Sequence, residues 1–305
     1  MKNPIFVLGS VNIDHVLNTP ALPRPGETIS GQGYSIFPGG KGANQAVACA
    51  RLAGKTRFMA CMGSDAFSDS LVQSFRETGI DTSLIEQIDG CNTGIALIFV
   101  DQQGENCIGI SAEANARLTA EKVKSREADI AAAGFLLVSL ETPLDGVFAA
   151  AEIARNNHTT VVLNPAPAQP LSDDLLGCID IITPNQTEAE VLTGVAVHNF
   201  SSAEQAASVL HGKGIGTVVI TMGSQGAFIS DHSGTRMIDS VKVTAVDTTA
   251  AGDTFNGAMV VALAEGFPID EAACFANGAA ALSVTRNGAQ ASIPTRAETD
   301  QFLND

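Results

Sequence analysis

The chain has 305 residues, 45% of them hydrophobic and 16% charged, which is ample material for a core and too little charge density for intrinsic disorder. That length suits one large α/β unit. Seventeen Lys and Arg stand against 33 Asp and Glu, and the resulting −16 is the wrong sign for a surface that neutralises nucleic-acid phosphates or anionic lipid.

In chain order, an apolar run at 5–9 reads as a strand, and a Pro/Gly-punctuated stretch follows at 14–37. The string PGGKGANQ at 38–45 opens a helix expected over 43–53. A strand is expected at 56–62, and at 92–110 IALIFVD and ENCIGI flank the turn Gln102-Gln103-Gly104 as a hairpin. Further strands are expected at 134–139, 159–163, 179–183 and 216–222, rich in Val, Ile, Leu and Phe as in parallel sheets covered on both faces. Helices are expected at 143–155 and 252–265, each with a buried and a wet side. The alternation predicts an α/β fold, a doubly wound, mostly parallel sheet flanked by helices. The stretches 14–37 and 92–110 break it and predict a small β-sheet inserted as a lid.

No apolar run approaches the roughly 18–20 residues that cross a bilayer, and no cleavage-site pattern follows the N-terminal run, so a cytoplasmic protein is expected. The six cysteines lie far apart with no zinc spacing, and neither H-E-x-x-H nor G-x-S-x-G occurs. Ala53-Gly54-Lys55-Thr56 resembles the end of a Walker loop, but the first glycine that loop requires is Cys49. Gly31-Gln32-Gly33 lacks the third glycine of a dinucleotide fingerprint, which disfavours a nicotinamide enzyme.

The strongest chemical signal is DTTAAGDTFNGA at 247–258, where the strand-like run VKVTAV ends at Asp247 and a helix begins near Gly252. Small residues Ala250, Ala251 and Gly252 admit a ligand to the backbone, and the free amides of a first helical turn stabilise negative charge. Asp253 in that turn can take a proton from an alcohol while the amides stabilise a transferring phosphoryl group; taken alone, it equally suits the helix dipole. In PGGKGANQ, Gly39, Gly40 and Gly42 suit a tight turn, and Lys41 and Asn44 offer polar contacts to a hydroxylated or anionic ligand. Asn185 and Glu188 in TPNQTEAE either organise a hydrated metal or start a helix, with Thr183 or Asn185 as its cap.

With GSVNIDH (9–15), PGETISG (25–31), GGKGANQA (39–46), GENCIGISAEANA (104–116), LNPAPA (163–168), TPNQTEAE, TMGSQGAF (221–228), DTTAAGDTFNGA and SVTRNGAQASIP (283–294), the chain resembles the ribokinase/PfkB family of carbohydrate kinases over nearly its whole length. The resemblance implies a phosphotransferase with an alcohol acceptor that moves the ATP γ-phosphoryl group to O5 of D-ribose; a kinase of 2-deoxyribose, another sugar or a nucleoside differs only in pocket shape. A non-catalytic sugar or nucleotide sensor on the same fold is the alternative from another class, disfavoured because Asp253, Gly252 and the Asn185/Glu188 pair are all present. By position it implies Asp253 as base and the amides of Ala251, Gly252 and Asp253 as anion hole. Implied sugar contacts are Asn12, Asp14, Gly40, Lys41, Asn44 and Glu141. Implied nucleotide contacts are Asn185, the loop Thr221 to Gly226 with Gly223 and Ser224, Gly252, and Asn277, where family members often carry His.

Also implied are a magnesium and phosphate site at Asn185 and Glu188, and a potassium site at Asp247, Thr249, Ser283, Arg286, Gly288 and Ser292. At Arg286 the carbonyl is expected to face the cation, because a guanidinium only donates. The family form has Gly where this chain has Ala250. A homodimer formed through the lid is implied, and neither nucleic acid nor membrane is expected as a partner.

Overall fold

The computed structural model describes residues 3–304. The strands in chain order are β1 (Ile5–Leu8), β2 (Asn12–Asn18), β3 (Gly33–Gly39), β4 (Thr56–Gly63), β5 (Asp81–Ile88), β6 (Gly94–Val100), β7 (Asn106–Ser111), β8 (Phe135–Val138), β9 (Thr160–Leu163), β10 (Ile181–Ile182), β11 (Thr217–Thr221), β12 (Ala227–Asp231) and β13 (Gly234–Ile238). Nine of them form one sheet in the order β13-β12-β11-β10-β9-β8-β1-β4-β5, and four form a second in the order β3-β2-β6-β7. The large sheet is parallel from β5 to β11, and β12 and β13 turn antiparallel at its edge.

Because side chains alternate along a strand, the large sheet carries two cores. Ile5 and Val7 of β1 pack on one face with the helices Lys41–Arg51, Ala251–Ala264 and Ile269–Ser283. Phe6 and Leu8 pack on the other with the helices Leu144–Asn156 and Phe200–Gly212. The six strands expected at 5–9, 56–62, 134–139, 159–163, 179–183 and 216–222 are all present in this sheet.

Two expectations need correction. The helices Lys41–Arg51 and Ala251–Ala264 have almost no wet side: Gly42 to Cys49 and Asp253 to Ala262 are buried without interruption. These helices pack against each other and Gly257 makes the approach possible, since a Cβ there would stand 2.5 Å from the Ala48 Cβ and 3.0 Å from the Gln45 carbonyl oxygen. The run VKVTAV at 241–246 alternates like a strand but is not one. Past β13 it leaves the sheet, and the amides of Val246 and Asp247 donate to the Val284 carbonyl at 2.7 and 3.2 Å instead of to a ladder.

The small sheet stands apart, its β6–β7 hairpin turning at 101–105. Tyr34, Ile36, Phe37, Leu97, Ile108 and Ile110 are all exposed on it. Strand pairing places Phe37, Ile108 and Ile110 on the face that carries Asp14, and Tyr34, Ile36 and Leu97 on the opposite face.

Candidate active site

The C-terminal ends of neighbouring parallel strands converge on one cleft, the usual ligand position in an open α/β sheet. Ser10 follows β1, Glu141 follows β8, Asn164 follows β9, Thr183 follows β10, and Thr221 ends β11. The chain reverses its direction of sheet growth between β1 and β8, and across that gap the Ser10 hydroxyl donates to Glu141 Oε2 at 2.6 Å. The same oxygen accepts from the Lys41 amide at 2.9 Å, so Glu141 caps the helix Lys41–Arg51, whose own N-cap residue, Gly40, has no side chain for that purpose.

The cleft, of about 210 Å³, is bounded by Lys41, Asn164, Ala166, Thr183, Asn185, Glu188, Thr221, Thr248 and the segment Ala250 to Asp253, with Asn256. Ala250 ends the incoming loop in a left-handed conformation, φ 60° and ψ 12°, and the helix starts at Ala251. The Ala251 amide donates to the Thr248 carbonyl at 3.2 Å. Among the described residues the amides of Gly252 and Asp253 have no acceptor, so the open donors are two rather than the three expected.

Asp253 is 6% exposed and faces the helix Lys41–Arg51. Its Oδ2 accepts from Asn44 Nδ2 at 2.9 Å and its Oδ1 from Gln45 Nε2 at 3.0 Å. Burial pushes this carboxyl above the usual range, Lys41 and the Asn44 amide oppose the shift, and Glu141 adds to it. Asp14 of β2 is pushed up to about 7, first by burial and then by Glu141 and Asp253, against the pull of Lys41. Its carboxylate lies over Gly39, where any Cβ would overlap it. Burial also raises Glu188. For Lys41, burial works against the charge, but Asp253, Glu141, Glu188 and Asp14 together hold it above its ordinary value. One ammonium thus stands among four carboxylates, which leaves the cleft short of positive charge for a polyanionic ligand.

Asn185 is the cap of the helix Gln186–Thr193 in a reciprocal capping box: its Oδ1 accepts from the Glu188 amide and Glu188 Oε2 accepts from the Asn185 amide, both at 2.8 Å. The pair therefore does start the helix, and among the described residues Glu188 Oε1 has no protein partner, which leaves it open to a ligand. Gly223 and Ser224 lie in the turn Gly223–Gln225 and Gly226 follows it, where the chain passes from β11 to β12. Asn277 does not reach the cleft with its donors: Nδ2 donates to the carbonyls of Ile238 and Asp239, both at 3.1 Å, pinning the end of β13.

Of the remaining expected residues, Asp247 holds Thr249 and Gly288. Its Oδ1 accepts from the Thr249 hydroxyl at 2.6 Å and amide at 2.9 Å, and its Oδ2 from the Gly288 amide at 2.8 Å. Partial burial opposes the charge, but these donors hold Asp247 below the usual carboxylate range. The Ser283 and Ser292 hydroxyls donate to the carbonyls of Ala280 and Ala289, and the Arg286 guanidinium turns away to Glu298 at 2.8 Å. An oxygen-only set of a charged carboxylate, hydroxyls and carbonyls fits a hard cation. Among the described residues no three His, Cys, Asp or Glu side chains gather as a metal site.

Sequence reasoning missed Gln45, Asn164, Thr183 and Asn256 as participants, although each lies inside a quoted motif, and it missed Ser10 and Asn115 as supports. Gln45 also donates to Asn164 Oδ1 at 3.0 Å, Asn164 to the Thr183 carbonyl at 3.3 Å, Thr183 to Asn256 Oδ1 at 2.5 Å, and Asn256 to the Gly252 carbonyl at 2.8 Å. The available signal was the density of amide side chains in those motifs.

Residues 2–296 match the family described as pfkB family carbohydrate kinase. The chain is 54% identical over 303 residues to the ribokinase of Haemophilus influenzae, covering 99% of each chain. It is 42% identical to the ribokinase of Staphylococcus aureus, over 99% of this chain and 100% of the other. Among solved structures, the Arabidopsis thaliana ribokinase complexed with ribose and ATP superposes with a TM-score of 0.93 at 31% identity, over 100% of both chains.

Proposed function

The chain belongs to the pfkB family of carbohydrate kinases, and on that premise we propose that it transfers the γ-phosphoryl group of ATP to O5 of D-ribose, giving ribose 5-phosphate and ADP. The observation that carries the chemistry is the first turn of the helix Ala251–Ala264, which holds both a buried carboxylate and two amides without acceptors. Asp253 takes the O5 proton as the oxygen bonds to the γ-phosphorus, the bond from that phosphorus to the bridging oxygen breaks, and ADP leaves with the electron pair. The Gly252 and Asp253 amides stabilise charge on the equatorial oxygens. Ribose lies between Asp14, Asn12, Gly40, Lys41, Asn44 and Glu141. The phosphates run past Asn185 and Glu188 toward Thr221 and the turn at Gly223, Ser224 and Gly226.

Because Glu188 keeps one free carboxylate oxygen, it and Asn185 would hold hydrated magnesium, which when bound screens the phosphate charge. Potassium would rest on Asp247, Thr249, Ser283, Arg286, Gly288 and Ser292, with Asp247 supplying the countercharge behind the helix start. The inner face of the small sheet closes over the sugar as a lid. Its outer face, with Tyr34, Ile36 and Leu97 exposed, pairs with a second copy in a homodimer. Among the described residues no helix is long and apolar enough to cross a membrane, and the protein works in the cytoplasm.

The deciding experiment is ADP release across a sugar panel, with Asp253→Asn as control. Ribose should support turnover and 2-deoxyribose much less, because a carboxylate placed to accept from two hydroxyls is left unpaired by the deoxy sugar. The Asn variant should lose roughly 10² to 10⁴ in kcat while retaining sugar binding. Full turnover in that variant would refute the mechanism.

A further inference from the structure

Gln45 is fully buried, with 0% of its surface exposed, and lies in the second turn of the helix Lys41–Arg51. Its amide nitrogen spends one hydrogen on Asp253 Oδ1 and the other on Asn164 Oδ1, each at 3.0 Å. Its side-chain carbonyl oxygen is buried without a partner among the described residues. The opposite orientation would set that oxygen against two acceptors, so the carboxylate and Asn164 dictate which way the amide points. An orphaned buried acceptor disfavours folding, and the molecule retains this one where the nitrogen meets Asp253.

The contact also closes a circuit. From Asp253 Oδ1 the hydrogen bonds run through Gln45, Asn164, Thr183 and Asn256 to the carbonyl of Gly252, the residue preceding Asp253. The carboxylate and the helix start that presents the open amides are thereby fixed to each other and to the ends of β9 and β10. Asn44 holds the other oxygen, so the plane of the carboxylate has no freedom to rotate. A base aligned this way needs no reorganisation when the acceptor hydroxyl arrives.

We propose that Gln45 is a positioning residue for the phosphoryl-transfer step, orienting the Asp253 carboxylate and favouring its ionised form without touching either substrate. This rests on the reading of Asp253 as the base. The charged groups facing Asp253 are Lys41 and Glu141 beside it, Asp14 from the small sheet, and Glu188 from the helix Gln186–Thr193. Burial already favours the protonated acid, and the Gln45 donor opposes it. Loss of the donor therefore moves the acid limb of the rate profile to higher pH, since the base must be ionised to work.

The test is Gln45→Met, which keeps the volume and removes the amide, together with Gln45→Glu, which keeps the shape and places a second carboxyl against Asp253. Three quantities are read: kcat and KM for ribose, the pH profile of kcat, and the pH titration of the Asp253 side-chain carboxyl by carbon-13 NMR without substrates, assigned with Asp253→Asn. In Gln45→Met, kcat should fall about 10- to 100-fold at neutral pH with KM for ribose within about threefold of wild type. The acid limb and the NMR titration should both move up together, and further in Gln45→Glu, where two carboxyls share a site. A folded variant with wild-type kcat and an unmoved titration overturns the proposal. So does loss of activity through KM alone, or failure of both variants to fold, which would mark Gln45 as a stability residue. Failure of the kinase reading shows separately, as a wild-type protein that releases no ADP with ribose or an Asp253→Asn variant at full rate.

Discussion

Asn115 Nδ2 donates to Asn12 Oδ1 over 2.8 Å, across 103 residues of sequence. Asn115 is itself held by the backbone of Val11, its Oδ1 accepting from the amide at 2.9 Å and its Nδ2 donating to the carbonyl at 3.1 Å. Asn12 can therefore turn only its amide nitrogen outward, on the face of β2 that carries Asp14, and that nitrogen has no protein partner among the described residues. The segment leaving the small sheet thus decides whether the sugar pocket offers a donor or an acceptor at this point.

Asn115→Asp should reverse that choice. The new carboxylate keeps the bond from the Val11 amide but faces Asn12 Oδ1 with an acceptor, so Asn12 flips and presents its oxygen. Loss of one hydrogen bond to a neutral hydroxyl corresponds to about a tenfold rise in KM for ribose, with kcat changed less. Steady-state kinetics with ribose varied checks it; an unchanged KM would show that Asn12 does not meet the sugar.

The raised Asp14 predicts a pH effect with a definite sign. A carboxyl that titrates near 7 when folded and near 3.8 when unfolded binds its proton more tightly in the native state. Stability is therefore withdrawn as pH rises through that window. Thermal melts of Asp14→Asn should lose less stability than wild type between pH 5 and pH 8, the two curves diverging by roughly 2–4 °C. In wild type, KM for ribose should climb as pH falls below about 7, because the protonated side chain loses acceptor capacity; Asp14→Asn should bind ribose poorly throughout.

Ala250 carries a Cβ in left-handed backbone, φ 60°, at the entry to the helix that bears Asp253. That region costs an L residue about 1–2 kcal/mol. Ala250→Gly should relieve the strain while loosening the unfolded chain, leaving stability within about 1 kcal/mol of wild type and activity intact. Ala250→Val, branched at Cβ, should melt several degrees lower and lose about tenfold or more in kcat as the Gly252 and Asp253 amides shift. Melting curves and turnover of the pair decide the point, and a fully active Val variant would contradict it.

Replacing potassium by sodium or choline should lower turnover well below its value in potassium buffer. Asp247→Asn should abolish the difference, since the countercharge is gone while Thr249 still has an oxygen to donate to. Thermal shift against potassium concentration gives an independent reading, and equal rates and melts in all three salts would remove the site.

The six inner strands were legible in the sequence because a sheet covered on both faces demands unbroken Val, Ile and Leu runs, and such runs are a local signal; the outer strands β5, β12 and β13 were not expected, since strands toward a sheet's edge carry more polar residues. Asp253 and the helix start were legible for the same reason: carboxylate and amides lie within one turn, and their spacing is set by the helix itself. The strand expected at 241–246 failed because alternation alone does not supply a ladder partner, and beyond β13 the backbone finds the Val284 carbonyl instead. Gln45 sits 208 residues from Asp253, and no periodicity relates them. They meet because Gly257 lets two helices close to contact and because four strand ends deliver Ser10, Glu141, Asn164 and Thr183 to one side. Local pattern in the chain set the inner strands of the sheet and the chemistry carried inside a single turn. Which carboxyls are buried together, and which amides orient them, was decided by tertiary packing, because desolvation and hydrogen-bond direction depend on neighbours that the chain brings from far away.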